Sequence, residues 1–259
     1  MPDKKALHPN GTHEIFFEEE SHTYTDNFCK KYLSGTSIVG KFFPEFDKVA
    51  VAKKCSAGVN PKYTGRTWQD IIDEWEKEAD RGRSEGTNAH EYAEGKISGW
   101  PVDMIPGPIS ERCEMLFDQV DIAVSRLLRH FVFVAAEMIV FDPETGLSGM
   151  IDLVMYDRIS NDIMVLDWKQ NKKISRENNF QSGLGALSHL QDTDISHYSL
   201  QLSLYEKLLV KGNYFPNVSG YRRGLIHLMP DGLEFIPIEN YDYEVEEMIK
   251  LHMSDKEKK

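Results

Sequence analysis

Residues 146–173 read GLSGMIDLVMYDRISNDIMVLDWKQNKK, and the fold turns on them. Met150-Ile151-Asp152-Leu153-Val154-Met155 sets one acid inside a run of strand formers, where a carboxylate is costly unless it is paired or binds a cation. Fifteen residues beyond Asp152, Asp167-Trp168-Lys169 closes a second apolar run, Ile163-Met164-Val165-Leu166. Residues i and i+2 of a strand share a face, so Asp167 and Lys169 point one way and Trp168 the other. An isolated Asp-x-Lys reads as the solvated end of a hairpin; the acid inside the preceding apolar strand reverses that preference. Two carboxylates and an ammonium then converge, the layout expected of a divalent-metal phosphodiesterase site. Such hydrolysis needs an activated water, neutralised phosphate charge and help for the leaving alkoxide, and hard cations on carboxylate oxygens supply all three. The expected cofactor is Mg²⁺ or Mn²⁺ on Asp152 and Asp167, with the Trp168 carbonyl as a further ligand. Lys169 orients the water or stabilises charge on the phosphorane.

Working outward, residues 110–129 keep helical spacing, with Met115, Leu116, Ile122, Ala123, Leu127 and Leu128 inside. Strands follow near residues 131–141, 149–156 and 163–168, joined by Asp142-Pro143-Glu144-Thr145-Gly146 and Arg158-Ile159-Ser160-Asn161-Asp162 as a meander. A helix over residues 195–211 and a strand over 222–228 complete the order αβββαβ. The fold class is therefore α/β: a mixed central sheet flanked by helices, an element order that resembles the restriction-endonuclease-like core. Upstream lie a hairpin from Glu14-Ile15-Phe16-Phe17-Glu18 and His22-Thr23-Tyr24-Thr25, then a helix begun by a Thr67/Asp70 capping box, which delivers the chain to a second helix at Gly86-Thr87. The expected organisation is an N-terminal helical and hairpin extension (1–85), a core (86–240), and a C-terminal helix with a charged tail (241–259). The polar stretch from Gln170 to Asp194 is too long for an ordinary connection and is expected to form a flap, or else a disordered insertion.

Two further motifs accompany the acids. Gly86-Thr87-Asn88-Ala89-His90 lies on a helix that puts His90 and Glu94 on one face, and Tyr198, Gln201 and Tyr205 share a stripe of a later helix. G-T-x-x-H, D…D-x-K and Q-x-x-x-Y in this order resemble the RecB-type branch of the PD-(D/E)XK nuclease superfamily, over roughly residues 86–205. The Pro usual before the first acid is Ile151 here. The resemblance implies a metal-dependent DNA nuclease, an exonuclease on single strands or ends of phage-type origin. The alternatives are a structure-selective endonuclease with the same site and a non-catalytic nucleic-acid-binding module. It also implies that His90 is a metal ligand and Glu137 a catalytic acid, with Gln201 and Tyr205 contacting substrate or supporting Lys169. Lys172, Lys173, Arg176 and Tyr198 are expected to bind nucleic acid, with Phe180 or Trp168 available for base stacking beneath an N-terminal helical arch. DNA is the expected partner, with room for a replication or recombination protein. His90-Glu91 is not a zinc-protease motif, because the fifth position is Glu94 and not His.

With 259 residues, 41% hydrophobic, the chain can bury one substantial core. No apolar run approaches a membrane span and the start shows no hydrophobic signal region, so a cytoplasmic protein is expected, in the host cytoplasm if phage-encoded. Three widely spaced cysteines, Cys29, Cys55 and Cys113, imply reduced thiols. They are too few for the four-cysteine iron–sulfur cluster of some RecB-type relatives, so none is expected. A net charge of −12 predicts weak non-specific DNA affinity. Local basic clusters remain at Lys53-Lys54, Arg81 and Arg83, Lys172-Lys173 with Arg176, and Arg222-Arg223.

Overall fold

The computed structural model describes residues 4–100 and 109–257. The tail residues Lys258 and Lys259 lie outside them. Strands β1 (Lys4–Leu7), β2 (Glu14–Glu18), β3 (Thr23–Asp26) and β4 (Lys31–Ser34) lead into helices α1 (Gly35–Gly40), α2 (Lys48–Lys54), α3 (Trp68–Ser98) and α4 (Glu111–His130). Then follow β5 (Val132–Asp142), β6 (Leu147–Asp157), β7 (Asp162–Lys169), α5 (Asp194–Lys211), β8 (Gly220–Met229), β9 (Gly232–Ile238) and α6 (Asp242–Glu257). Helix α4, the meander β5–β7, helix α5 and strand β8 are the αβββαβ order read from the sequence, set in a mixed sheet flanked by helices.

Among the described residues nine strands make one sheet, in the order β1-β2-β3-β4-β6-β7-β8-β9, with β5 on β6. Strand β4 pairs parallel with the start of β6 through Leu33–Leu147 and Ser34–Ser148. Strand β7 pairs with the other end of β6, from Leu153 to Asp157. On that edge of β6, residues 149–152 have no ladder partner, and the gap opens beside Asp152. The N-terminal part, expected as a helical arch, thus also contributes four strands that continue the central sheet, beside α1, α2 and the start of α3.

Helix α5 is buried on nearly all sides. Leu200, Leu202, Leu204, Leu208 and Leu209 are each at most 1% exposed, and each contributes roughly 2 kcal/mol of transfer free energy. Together with Ile151, Val154, Ile163, Val165 and Leu225 they fill one side of the sheet. On the other side α3 and α4 pack Ala89, Ala93, Leu116, Val120 and Leu127 against Leu153, Met155, Leu166 and Trp168.

The two N-terminal helices expected from the sequence are one. The Thr67/Asp70 capping box starts α3, which runs through residues 85 and 86, where the expected domain boundary lies, to a left-handed Gly99. Gly86 does not break it; the Gln170 side chain lies where a Cβ would go, 2.5 Å from Nε2, so the glycine makes room for Gln170. The expected flap is a tethered strap. Ile174 and Leu187 are buried in the α5-side core, the Leu184 N–H donates to the Phe42 carbonyl (2.7 Å), and Asp194 accepts from the Ser175 backbone and hydroxyl. Its tip, Phe180, is 96% exposed.

Candidate metal centre

A regular pleat puts residues i and i+2 on one face. Strand β7 obeys this: Ile163 and Val165 lie on the α5 side and Met164, Leu166 and Trp168 on the α3/α4 side. Asp167 and Lys169 therefore share the α5 side, and their side chains form an ion pair. Strands β5 and β6 both break the rule at the level of Glu137 and Asp152, and β5 has a separate irregularity between Phe133 and Ala135. Ile151 packs on the α5 side but Leu153 on the α3/α4 side, and likewise Met138 against Ala136. The ladder pairs Ala136 with Leu153 and Met138 with Ile151, leaving Glu137 and Asp152 opposite each other and outside it. Glu137 adopts φ 48°, which a non-glycine residue takes up only under constraint. One extra residue in each strand thus turns two carboxylates out of the pleat, as bulges beside functional sites do.

The two acids meet His90, brought by α3. Ligand atoms of His90, Glu137 and Asp152 all lie within 4.8 Å of one another, a group able to hold a metal ion. His90 Nε2 is 3.1 Å from the Trp168 carbonyl oxygen, and its Nδ1 is 3.4 Å from Asp152 Oδ2. A carbonyl only accepts, so the proton sits on Nε2 and the Nδ1 lone pair faces Asp152. Burial, and then the Lys169 ammonium, lower the His90 pKa and keep the ring neutral. Asp152 Oδ2 also accepts from the Trp168 N–H (2.9 Å). Burial, and then the Asp167 carboxylate, raise its pKa. Burial, and then Asp152, push Glu137 up to about 7. These are the shifts of carboxylates crowded without enough positive charge. One imidazole nitrogen among carboxylate oxygens suits a hard, oxygen-preferring dication that tolerates nitrogen.

Lys169 lies on the other flank. Burial opposes its charge, but Asp167 and Asp152 outweigh burial and raise its pKa above that of an ordinary lysine. Its Nζ sits 4.6 Å from the centre of the Tyr198 ring, whose hydroxyl accepts from Asn171 Nδ2 (3.0 Å). Gln201 Nε2 donates to the Tyr205 hydroxyl (2.9 Å). The Tyr205 ring lies over Gly149, where a Cβ would come within 2.0 Å of it.

Of the residues singled out in the sequence, His90, Glu137 and Asp152 form the group able to hold a metal ion, and Asp167 is paired with Lys169 outside it. Trp168 contributes its backbone to the site, but its indole is 3% exposed in the α3/α4-side core. It cannot stack on a base, whereas Phe180 is free to. Lys172 and Lys173 line a cleft with Arg81, Arg83 and Arg112 beside Gln170, the residue after Lys169. Arg112 donates to the Gln170 carbonyl (2.9 Å) and pairs with Glu85 (3.0 Å). Arg176 lies 3.5 Å from Glu234. Arg222 and Arg223 are engaged by Asp157, Asp162 and Glu206 within the fold. Sequence reading missed Lys4, whose Nζ lies 3.4 Å from Glu137 Oε2 and 3.6 Å from Glu94 Oε2. The alternation of Lys4-Lys5-Ala6-Leu7 was its only signal, and four residues are too few to read.

Among the described residues no helix is long and apolar enough to cross a membrane. No family model matches the chain, and no curated protein matches it. Among solved structures it is similar to a crystal structure titled "Putative exonuclease" from Eubacterium rectale, at 12% identity and a TM-score of 0.39. The match covers 64% of each chain, so this chain spans just under two thirds of that relative's length.

Proposed function

We propose that this chain is a metal-dependent DNA nuclease of the PD-(D/E)XK superfamily, RecB branch, which hydrolyses phosphodiester bonds from single-stranded or frayed ends. The observation that carries this reading is the meeting of His90, Glu137 and Asp152 within 4.8 Å, flanked by the buried Asp167–Lys169 pair. Elements far apart in sequence bring these groups together, and the Glu137–Asp152 irregularity has no role in packing that a plain ladder would not fill. His90, Glu137 and Asp152 would hold Mg²⁺ or Mn²⁺, with the Trp168 carbonyl at hand. The ion supplies a Lewis acid for the phosphate and a more acidic water. Lys169, kept charged by Asp167 and Asp152 and held under Tyr198, orients the attacking water or faces the charge that builds on the phosphate oxygens. Gln201 and Tyr205 hold β6 in place through Gly149.

The cleft of Arg81, Arg83, Arg112, Lys172 and Lys173 gives the nucleic-acid backbone a local positive path on an acidic protein. No ion pair engages Arg81 or Lys173 among the described residues, so both can meet phosphates. The test is a gel of end-labelled linear single-stranded, duplex and circular single-stranded DNA with Mg²⁺ or Mn²⁺. Linear single strands are expected to shorten from an end while circles persist. Cleaved circles would make the protein an endonuclease with the same site; no cleavage of any substrate with either metal would sink the reading.

A further inference from the structure

The acids of the site exceed what one dication neutralises. Glu91, Glu94 and Glu137 line a cleft of about 440 Å³ together with His90, Thr87 and Lys4, and Asp152 has a ligand atom within 4.8 Å of those of His90 and Glu137. Asp167 is already answered by Lys169. A dication on His90, Glu137 and Asp152 would balance two carboxylates and leave Glu94, which lines the same cleft, unanswered. Lys4 Nζ lies 3.6 Å from Glu94 Oε2 and 3.4 Å from Glu137 Oε2.

The fold aims Lys4 there. Strand β1 pairs antiparallel with β2, with Lys4 opposite Phe17. Lys4 and Ala6 turn inward and half-buried while Lys5 and Leu7 are exposed. A lysine pointing inward from a short strand, onto an acid whose own backbone is forced to φ 48°, is an arrangement that packing alone does not require.

We propose that Lys4 is the built-in counter-ion of this centre: its ammonium fills the place a second divalent cation would take, and so fixes the metal content at one ion per chain. This rests on the metal-dependent reading above. An ammonium between Glu94 and Glu137 satisfies both oxygens and repels a second dication that approaches them, whereas Asp152 makes no ion pair with Lys4 among the described residues and would keep the first ion with His90 and Glu137. The centre would then work with one ion and one lysine on the Glu94 side, and with Lys169 on the Asp167 side.

The test counts bound Mn²⁺ on the full chain by isothermal titration and by electron paramagnetic resonance, for wild type, Lys4→Met, Lys4→Gln and Lys4→Arg. Near-ultraviolet circular dichroism in EDTA checks that each is folded. Wild type and Lys4→Arg are expected to bind one Mn²⁺. Both neutral variants are expected to bind a second, at least about tenfold more tightly than wild type does, with the spectrum of a coupled pair of ions. One ion in wild type and in both neutral variants would overturn the role of Lys4 and leave the nuclease reading standing, as would two ions in wild type. No Mn²⁺ bound by wild type would overturn the metal reading itself, and this inference with it.

Discussion

Asp167 and Lys169 differ from Glu137 and Asp152 in how they reach the site, and their expected behaviour differs accordingly. In the proposed reaction Lys169 would serve the phosphate and not the ion, so Lys169→Ala should lower the single-turnover rate roughly a hundredfold or more and leave Mn²⁺ affinity nearly unchanged. Lys169→Arg should not restore it fully, since a planar fork replaces a compact charge under Tyr198. Normal single-turnover cleavage by Lys169→Ala would assign that residue to the ion or to structure. Glu137 governs pH dependence. Its carboxyl, raised by burial and by Asp152 to about 7 from an ordinary 4.5, keeps its proton in the folded chain where the unfolded chain has lost it. The native state binds more protons through that window, so the metal-free protein loses stability as pH rises through it, by roughly 3 kcal/mol at most. Asp152, raised by burial and by Asp167, acts in the same sense. Urea melts in EDTA at about pH 5 and about pH 8 should show the higher midpoint at the lower pH, with a smaller difference for Glu137→Gln. Equal differences for the two proteins would remove Glu137 as the cause.

Helix α5 and strand β6 are coupled through one ring and one missing side chain. Gly149→Ala would drive a Cβ to within 2.0 Å of the buried Tyr205 ring, an overpacking expected to cost about 1–3 kcal/mol. Tyr205→Phe loses only the bond from Gln201 and should cost about 1 kcal/mol. Thermal melts of both would show it; Gly149→Ala as stable as Tyr205→Phe would mean that the ring yields. The sequence makes part of this legible. Period-two alternation placed Asp167 and Lys169 together correctly, because β7 is regular, and helical spacing aligned Gln201 with Tyr205. Alternation could not show Glu137 and Asp152 changing faces, because Ala135-Ala136-Glu137-Met138-Ile139 and Met150-Ile151-Asp152-Leu153 are apolar on both sides and read the same with or without a bulge. Gly86 misled for a related reason: a glycine that ends a helix and one that admits Gln170 look alike until the neighbour is known.

The sheet runs from β1 to β9 without a break, and its N-terminal four strands are joined to β6 at the edge of the site. Residues 1–85 therefore supply sheet, part of α3 and Lys4, and a chain of residues 86–259 should lack a cooperative melt by circular dichroism, where the full chain shows one. A fragment that melted sharply and bound Mn²⁺ as tightly as the whole would show the first 85 residues to be dispensable.

The paired irregularity in β5 and β6 has a genetic corollary. With Glu137 and Asp152 both deleted, Ala136 adjoins Met138 and Ile151 adjoins Leu153, and alternation returns across this level of both strands with their ladder partners unchanged, the separate irregularity between Phe133 and Ala135 apart. Deleting either codon alone leaves one strand a residue longer than its neighbour and throws half of it onto the wrong face. The double deletion is expected to fold better than either single one, with no metal affinity and no cleavage. The centre would then be a two-codon insertion in an otherwise ordinary hairpin, and a lineage that lost both codons would keep the architecture while shedding the chemistry in one step.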